Sequence, residues 1–315
     1  MSTKIKMVFE PGKEVSREDF RKYPRGSVAI DGYCKDGPFF DEDRGVLNIN
    51  HHDVFGLAMR TSCLQAMIYV KMGLLDAFTD ENGDLNMTLY MNDPDQDVAL
   101  STYILMHPEQ VNRPKLRELV RIEDLMDMSG GLYPTRKRLH LMKQLNWIMR
   151  PYTKARVNGR LYELDGKGME ALVREMHRRI KLTLFNGPTE VDVDTSYEVL
   201  ADHGSWQMVR EIGEDARIGM AENQVKAYVT FKNETDGRYH YAIGRLSQFI
   251  PFPLQKLYDD LNEAEGLGPD AKHRWGGSGV IGGSPRGVGS KLSPEEVAAV
   301  INRRLAKRRK TAASK

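Results

Sequence analysis

The chain has 315 residues, long enough for two ordinary domains, and its 40% hydrophobic and 29% charged residues are typical of a globular protein with a sizeable core. A net charge of +2 does not by itself indicate a nucleic-acid, membrane or acidic partner, and two cysteines exclude a disulfide framework. No apolar run reaches the roughly 18 residues of a membrane span, and the first residues lack a signal-peptide apolar region, so we expect a cytoplasmic protein.

The first half of the chain alternates between strand and helix patterns. After a polar start over residues 1–25, which we expect to be partly irregular, β-branched apolar runs predict strands and apolar residues at helical spacing predict helices. This alternation indicates an α/β fold with a parallel-sheet N-terminal domain, whose loops meet at the carboxyl ends of its strands. In chain order the predicted elements are strands at 27–30 and 46–50, a helix at 61–70, a strand at 87–91, and helices at 98–105 and 114–128.

The second half has a different pattern. Residues from about 135 to 186 are mainly helical, and the pattern changes near 187. Two strands, at 225–231 and 239–244, are joined by a hairpin loop, and two further helices follow at 254–264 and from 294 onward. We therefore predict a smaller α/β C-terminal domain.

Three carboxylates follow the predicted strand at 87–91. Asp93, Asp95 and Asp97 repel one another, and the start of the next helix offsets only part of that repulsion through its dipole. A divalent cation would relieve the rest, because hard cations favour carboxylate oxygens. A helix N-cap with a spare surface acid explains these residues equally well.

Other acids and histidines follow the neighbouring predicted elements. Asp31 ends the first strand, and His51 and His52 end the second, where ligand pockets of α/β sheets gather. Asp124 and Asp127 are three residues apart on one predicted helix, so both can point towards the same place, or both can lie on a solvated face. Asp and His at several element ends favour a two-metal hydrolase site, since nucleophile motifs and a phosphate-binding P-loop are missing.

Two features of the C-terminal half suit anions. Residues 275–290 are dense in glycine, so their backbone N–H groups could approach a phosphate that Arg274 and Arg286 would bind, with Trp275 stacked on a base. A flexible linker is the alternative. Residues 303–315 are basic and acid-free, which is typical of a solvated end and also suits a phosphate backbone.

Taken together, these stretches resemble the DHH phosphoesterase superfamily with its DHH-associated C-terminal domain. Residues 91–101, MNDPDQDVALS, resemble the first motif, in which a strand ends in His-x-x-Pro-Asp-Gly-Asp before a helix of small residues. Residues 50–52 resemble the name-giving Asp-His-His, and residues 28–31 resemble the second motif's strand-end aspartate. Asp124 or Asp127 resembles the last motif. The strand ending at Arg245, the helix after it and residues 282–289 resemble the substrate-binding domain with its Gly-Gly-His.

The resemblance implies a domain order and a site. The domains would be a metal-binding catalytic domain at 1–150, a helical linker at 151–190, a substrate-binding domain at 191–302 and a basic tail at 303–315. It also implies a pair of Mn²⁺ or Mg²⁺ ions. The implied metal ligands are Asp31, His52, Asp93, Asp95, Asp97 and Asp124; the implied catalytic residues are His51, His52 and Asp97; the implied substrate-binding residues are Arg245, Arg274, Gly282, Gly283, Ser284 and Arg286.

The chain also departs from the superfamily pattern. The motif assigned as first follows the double histidine, so the motif order looks circularly permuted. Met91 stands in place of a histidine ligand, Asn50 in place of an acid and Ser284 in place of the glycine-loop histidine. Either Asp93, Asp36 or Asp53 compensates, or one metal site is weak or lost.

The main functional hypothesis is a metal-dependent phosphoesterase that hydrolyses a phosphodiester or nucleotide. The alternative is a catalytically decayed relative that binds nucleotide or nucleic acid. A helical HD-type phosphohydrolase using His52 and Asp53 is disfavoured by the strand predicted directly before them. The expected partners are a phosphate-containing small molecule or short nucleic acid and a second copy of the chain, with no membrane.

Overall fold

The computed structural model is a mixed α/β protein with two compact units, in agreement with the predicted fold class. It describes residues 3–52, 60–135, 138–187, 189–235 and 237–313. The N-terminal unit comprises residues 1–127 and 138–192, and the C-terminal unit comprises residues 128–137 and 193–315.

The described part of the N-terminal unit consists of one sheet and the helices that cover it. Short 3₁₀ helices lie at Asp76–Phe78, Pro108–Gln110 and Arg160–Glu163. The strands and α-helices, in chain order, are β1 (Thr3–Phe9), α1 (Arg17–Phe20), β2 (Ser27–Ile30), β3 (Phe39–Asp41), β4 (Val46–Ile49), α2 (Ser62–Lys71), β5 (Leu85–Met91), α3 (Gln96–Met106), α4 (Pro114–Asp127), α5 (Leu139–Val157) and α6 (Gly166–Phe185).

The strands of this sheet lie in the order β1-β5-β2-β4-β3. The β1–β5, β5–β2 and β2–β4 pairs are parallel, and β3 is an antiparallel edge strand on β4. Every residue of β2 and β4 is buried, as expected for central strands of a sheet covered on both faces. The carboxyl ends of β5, β2 and β4 therefore lie side by side.

The start of the chain is more regular than its composition suggested. Residues 3–9 form β1, which pairs with β5 along its whole length. Lys4 and Lys6 are exposed, whereas Met7 and Phe9 are buried. Alternating lysines are compatible with a strand at the edge of a sheet, where they discourage pairing with other chains. The sequence analysis, which expected a partly irregular start, did not predict this strand.

The C-terminal unit is built on a second sheet. Its strands lie in the order β10-β11-β9-β8-β7-β6, and its neighbouring pairs are antiparallel except for β7–β8. The core includes Trp206, Phe252, Leu257 and Ile301. The elements are β6 (Tyr197–Asp202), β7 (Gln207–Glu211), α7 (Ala216–Glu222), β8 (Ala227–Thr235), β9 (Arg238–Arg245), α8 (Leu254–Ala264), β10 (Gly276–Gly277), β11 (Ile281–Gly283) and α9 (Pro294–Ala313).

The predicted hairpin at 225–244 corresponds to β8 and β9, and the predicted helix at 254–264 corresponds to α8. Helix α9 begins at Pro294, with Ser293 and Glu296 forming a reciprocal capping pair, and continues to Ala313. Most of the predicted basic tail is therefore the last part of a helix.

Candidate metal centre

Acidic and histidine side chains from three adjacent strands meet at one edge of the N-terminal sheet. Asp31 follows β2, His51 and His52 follow β4, and Asp97 lies in the first turn of the helix after β5. Asp31 has a positive φ of 52°, and Gly32 after it has a φ of 83°. This left-handed turn, unusual for an aspartate, bends the chain immediately after the strand, as is common at functional sites.

His51 lies at the centre of this group of side chains. Its Nε2 atom is 3.1 Å from Asp31 Oδ1, 3.1 Å from Asp127 Oδ2 and 3.5 Å from Asp97 Oδ2. The nitrogen is buried and has no well-aligned hydrogen bond. One imidazole nitrogen therefore has more carboxylate neighbours than a single N–H group can serve.

His52 extends the group towards solvent. Its Nε2 lies 3.0 Å from Asp31 Oδ1, and its side chain is 48% exposed. The rings of His51 and His52 are 4.4 Å apart between centroids. Asn50 accepts a hydrogen bond from the His52 backbone N–H at 3.0 Å and donates to the carbonyl of Asp36 at 2.8 Å. Asn50 thus fixes the turn that presents both imidazoles.

Asp97 binds the N-terminus of α2 as well as facing His51. Its two carboxylate oxygens accept the backbone N–H groups of Ser62 and Cys63, each at 2.6 Å. These are among the donors that a helix start leaves without partners, and Thr61 at the cap position makes no side-chain cap bond. The Asp97 carboxylate therefore connects the candidate metal ligands to the N-terminus of α2.

Asp124 and Asp127 have different partners. Asp124 accepts from the Thr61 backbone N–H at 3.1 Å and pairs with Arg60 at 3.3 Å. Asp127, one turn further along α4, reaches His51. Of these two aspartates, Asp127 belongs to the groups of side chains that could hold a metal ion, and Asp124 caps the start of α2.

The two other acids after β5 differ in exposure and in their contacts. Asp95 is the N-cap of α3, and its Oδ1 accepts the Val98 backbone N–H at 2.9 Å. Asp93 is exposed. Among the described residues, candidate ligand atoms form two groups, and the atoms within each group lie within 4.8 Å of one another. The first group is Asp31, His51 and His52, and the second is His51, Asp97 and Asp127. Asp93, Asp95 and Asp124 are outside both groups.

The titration of these residues reflects their crowding. Burial would raise the pKa of Asp31, but the charges of His52 and His51 outweigh it and lower that pKa. Burial would lower the pKa of His51, but the carboxylates of Asp127 and Asp31 raise it to about 12. Burial and the charge of Asp31 raise the pKa of Asp97 to about 7. The two imidazoles thus partly balance several acids that repel one another.

This arrangement fits a divalent cation. Carboxylate oxygens and imidazole nitrogens are the donors that Mn²⁺ accepts, and carboxylates suit Mg²⁺. A cation would also favour the ionised form of Asp97, whose pKa is raised by burial and by the charge of Asp31. The residues that could hold it are Asp31, His51, His52, Asp97 and Asp127.

A buried acid close to this group was missed by the sequence analysis. Glu123 is 3% exposed, and its Oε2 makes no hydrogen bond. Burial, followed by the charges of Asp127 and Asp97, raises its pKa well above the usual range. The available signal was its spacing, because Glu123 lies on the same helix face as the buried Leu116 and Val120.

The predicted substrate-binding residues all lie in the C-terminal unit, where several have structural partners. Arg245 donates to the carbonyls of Gly279, at 2.7 Å, and Ile250, at 3.1 Å. The Ser284 side chain accepts from the Tyr241 backbone N–H at 3.0 Å. Arg274 donates to the carbonyl of Pro269 at 2.9 Å, and Arg286 is exposed.

The glycine-dense stretch forms paired strands rather than a linker. Gly282 and Gly283 lie in β11, between β9 and β10. A Cβ atom on Gly283 would lie 2.3 Å from the carbonyl oxygen of Tyr241, and one on Gly282 would lie 2.2 Å from the Tyr258 hydroxyl. Close packing against β9 and α8 therefore accounts for both glycines without an anion.

Trp275 is a core residue, so the prediction that it stacks on a base is wrong. Its side chain is 3% exposed and packs on Tyr241, with 5.4 Å between ring centroids. Its indole N–H donates to Glu265 at 2.7 Å.

The departures from the superfamily pattern have local explanations. Met91 is fully buried at the end of β5, and Asn50 is fully buried in the hydrogen bonds described above. Of the acids considered as replacements, Asp36 uses its backbone carbonyl to hold Asn48 and Asn50. Asp53 lies outside the described residues.

No helix in the described residues is long and apolar enough to cross a membrane. No family model and no curated protein matches the chain. Among solved structures, the chain is similar to an exopolyphosphatase-related protein from Bacteroides fragilis, with 13% identity, 90% of this chain and 71% of that chain covered, and a TM-score of 0.27. A TM-score this low supports no argument about fold or function, so the chemistry has to be argued from the side chains.

Proposed function

We propose that the protein is a divalent-metal-dependent phosphoesterase whose active site is the group formed by Asp31, His51, His52, Asp97 and Asp127. The observation that supports it most is the position of His51 Nε2, within 3.5 Å of carboxylate oxygens from three different elements. Converging carboxylates with adjoining imidazoles suit one or two divalent ions. The proposed substrate is a phosphodiester or a nucleotide.

When bound, divalent ions supply Lewis acidity towards phosphoryl oxygens and lower the pKa of a coordinated water towards neutrality. The carboxylates of Asp31, Asp97 and Asp127 would hold them. Asp97 is fixed by the N-terminus of α2 and Asp31 by the Ser62 hydroxyl at 3.2 Å, so both are preorganised.

The two histidines suit different tasks. His51 is buried among the carboxylates and would act as a ligand or orient them. His52 is half exposed. Burial would lower its pKa, but the charge of Asp31 outweighs this and raises the pKa, so His52 can present a proton to the phosphoryl group or the leaving oxygen. Arg245, Arg274, Arg286 and the glycine stretch remain predicted substrate contacts. The identity of the ion, the identity of the substrate and the formation of a homodimer also remain predictions.

The first test is elemental analysis of the purified protein together with hydrolysis of bis(p-nitrophenyl) phosphate in added Mn²⁺. We expect about one to two equivalents of metal and turnover that requires it. Asp31→Asn should remove both. Asp192→Asn, at a side chain that is 99% exposed, is the matched control and should retain them. Hydrolysis that persists in Asp31→Asn would refute this assignment of the site.

A catalytically decayed binder is the alternative, and the same experiment separates the two. Its motivation was the residues at positions 50 and 91 together with the basic tail. The side chains of Asn50 and Met91 are buried, and the two candidate ligand groups include neither of them. Tight nucleotide binding without metal and without turnover would favour the binder.

A further inference from the structure

Arg60 lies just before the start of α2, close to the candidate metal ligands. It is two residues before Ser62, whose backbone N–H donates to the Asp97 carboxylate at 2.6 Å. The Arg60 carbonyl accepts a hydrogen bond from the buried side chain of Gln65 at 2.6 Å. The same Gln65 nitrogen donates to the carbonyl of Asn50 at 3.0 Å. The Gln65 side chain therefore fixes the backbone of Arg60 beside the turn that follows β4.

The Arg60 side chain reaches the acids of α4. Its guanidinium donates to Asp124 Oδ2 at 3.3 Å. Asp127 lies three residues further along α4, and its Oδ2 atom is 3.1 Å from His51 Nε2. Residues three apart on a helix have Cβ atoms about 5–6 Å apart. The guanidinium is thus one neighbouring side chain away from a candidate metal ligand.

An ion pair with Asp124 does not by itself account for this arginine. Asp124 Oδ1 already accepts the Thr61 backbone N–H at 3.1 Å and lies 3.4 Å from the Thr61 hydroxyl. The contact with Arg60 involves one nitrogen, and the Arg60 side chain is 52% exposed, so water screens the pair and its contribution to stability is small. Among the described residues the guanidinium makes this one hydrogen bond. Most of the five N–H groups of an arginine are therefore available to a ligand.

We infer, on the basis of the proposed function, that Arg60 is a substrate-binding residue whose guanidinium binds the non-bridging oxygens of the phosphoryl group. The carboxylates of Asp31, Asp97 and Asp127 repel an anionic phosphodiester, and a single divalent ion would not neutralise all three. An arginine supplies a permanent positive charge and a planar pair of N–H groups that match two phosphoryl oxygens. Arg60 and the half-exposed His52 would both be accessible to a substrate that arrives from solvent.

The test compares Arg60→Gln with the wild type in steady-state hydrolysis of bis(p-nitrophenyl) phosphate at saturating Mn²⁺. The matched control is Arg21→Gln, because Arg21 is 54% exposed and also pairs with a largely buried carboxylate, that of Asp41. Elemental analysis and thermal melting in EDTA accompany the kinetics of each variant. They detect a loss of metal or of stability separately from a loss of substrate binding.

We expect Arg60→Gln to raise KM, and so to lower kcat/KM, by roughly 10- to 100-fold, the range of charge-assisted hydrogen bonds. The kcat value should change little, because the substrate carries its negative charge both before and during the reaction. Arg60→Lys should recover part of the loss, since lysine keeps the charge and lacks the planar pair of donors. Bound metal and the melting temperature in EDTA should match the wild type, and so should all properties of Arg21→Gln.

A wild-type KM in Arg60→Gln would overturn this inference and leave the proposed function standing. A higher KM that comes with less bound metal or a lower melting temperature in EDTA would overturn it in favour of a structural ion pair with Asp124. Equal increases of KM in Arg60→Gln and Arg21→Gln would also overturn it, because net charge would then explain both. A wild type that neither holds metal nor hydrolyses the diester would overturn the proposed function and this inference together.

Discussion

Asp127 Oδ2 lies 3.1 Å from His51 Nε2, although one residue ends a helix and the other follows a central strand. Asp127 completes one of the two candidate ligand groups. If this contact marks a metal site, removing the Asp127 carboxylate should affect the protein chiefly when metal is present.

Saturating Mn²⁺ should stabilise the wild type, because an ion that binds only the folded state adds about 2.7 kcal/mol at one hundred times its dissociation constant. Asp127→Asn should lose most of this increment, and Asp192→Asn should retain it. Thermal melting with Mn²⁺ and with EDTA measures both. Equal stabilisation of the two variants would contradict the role of Asp127 as a ligand.

The titration of Asp97 should appear in the stability of the metal-free protein. Its folded pKa of about 7 is above the unfolded value of 3.8, so its stabilising contribution is complete below pH 4 and is lost as the pH rises to about 7. Asp97→Asn cannot titrate at this position. The unfolding free energy of wild type minus that of the variant should therefore fall over this range, by at most about 4 kcal/mol.

Urea unfolding in EDTA from pH 4 to pH 8 measures this difference. A difference that stays constant with pH would show that Asp97 keeps an ordinary pKa. Mn²⁺ should reverse the trend, because the ion binds the ionised carboxylate and its affinity increases as protons leave. The stabilisation by Mn²⁺ should therefore be greater at pH 8 than at pH 5.5.

The Asn50→Asp variant tests two competing predictions, one from the family resemblance and one from the local structure around Asn50. The resemblance predicts that an acid at this position strengthens metal binding. In the structure, the Asn50 amide donates to the carbonyls of Cys34 and Asp36 in a fully buried position, where a carboxylate would face oxygen atoms. We expect Asn50→Asp to lower the free energy of unfolding by about 2 kcal/mol or more.

The matched control is Asn82→Asp, at an exposed turn position. Chemical denaturation of both variants tests the prediction. An Asn50→Asp protein as stable as the control, with tighter metal binding, would favour the inference from resemblance.

The glycines of β11 give a test in the C-terminal unit. Gly283→Ala should destabilise this unit by about 1–3 kcal/mol, because the added Cβ would lie 2.3 Å from the Tyr241 carbonyl oxygen. Gly276→Ala, where a Cβ meets no atom within 4 Å, should be nearly neutral. Denaturation monitored by tryptophan fluorescence compares them, and equal stability would contradict the packing explanation.

Much of the N-terminal fold could be predicted because its central strands β2 and β4 are short, mostly apolar and bounded by turn residues. The predicted strands at 27–30 and 46–50 and the helix at 114–128 differ from β2, β4 and α4 by at most a residue at an end. Strand β1 was missed because its lysines lower the apolar content of a seven-residue edge strand. The short β10 and β11 were missed because glycine provides little strand signal.

The sequence by itself determined that acids and histidines follow strands, since each strand is a local apolar run and each polar residue comes directly after it. It could not determine which carboxylates meet, because this depends on the order β5-β2-β4 and on the rotation of α4. Tertiary structure directed Asp127 towards His51 and Asp124 towards the start of α2, although the two lie three residues apart on the same helix. The physical reason is that hydrogen bonds to a helix N-terminus and charge pairing with an imidazole are interactions between distant segments, and no local pattern encodes them.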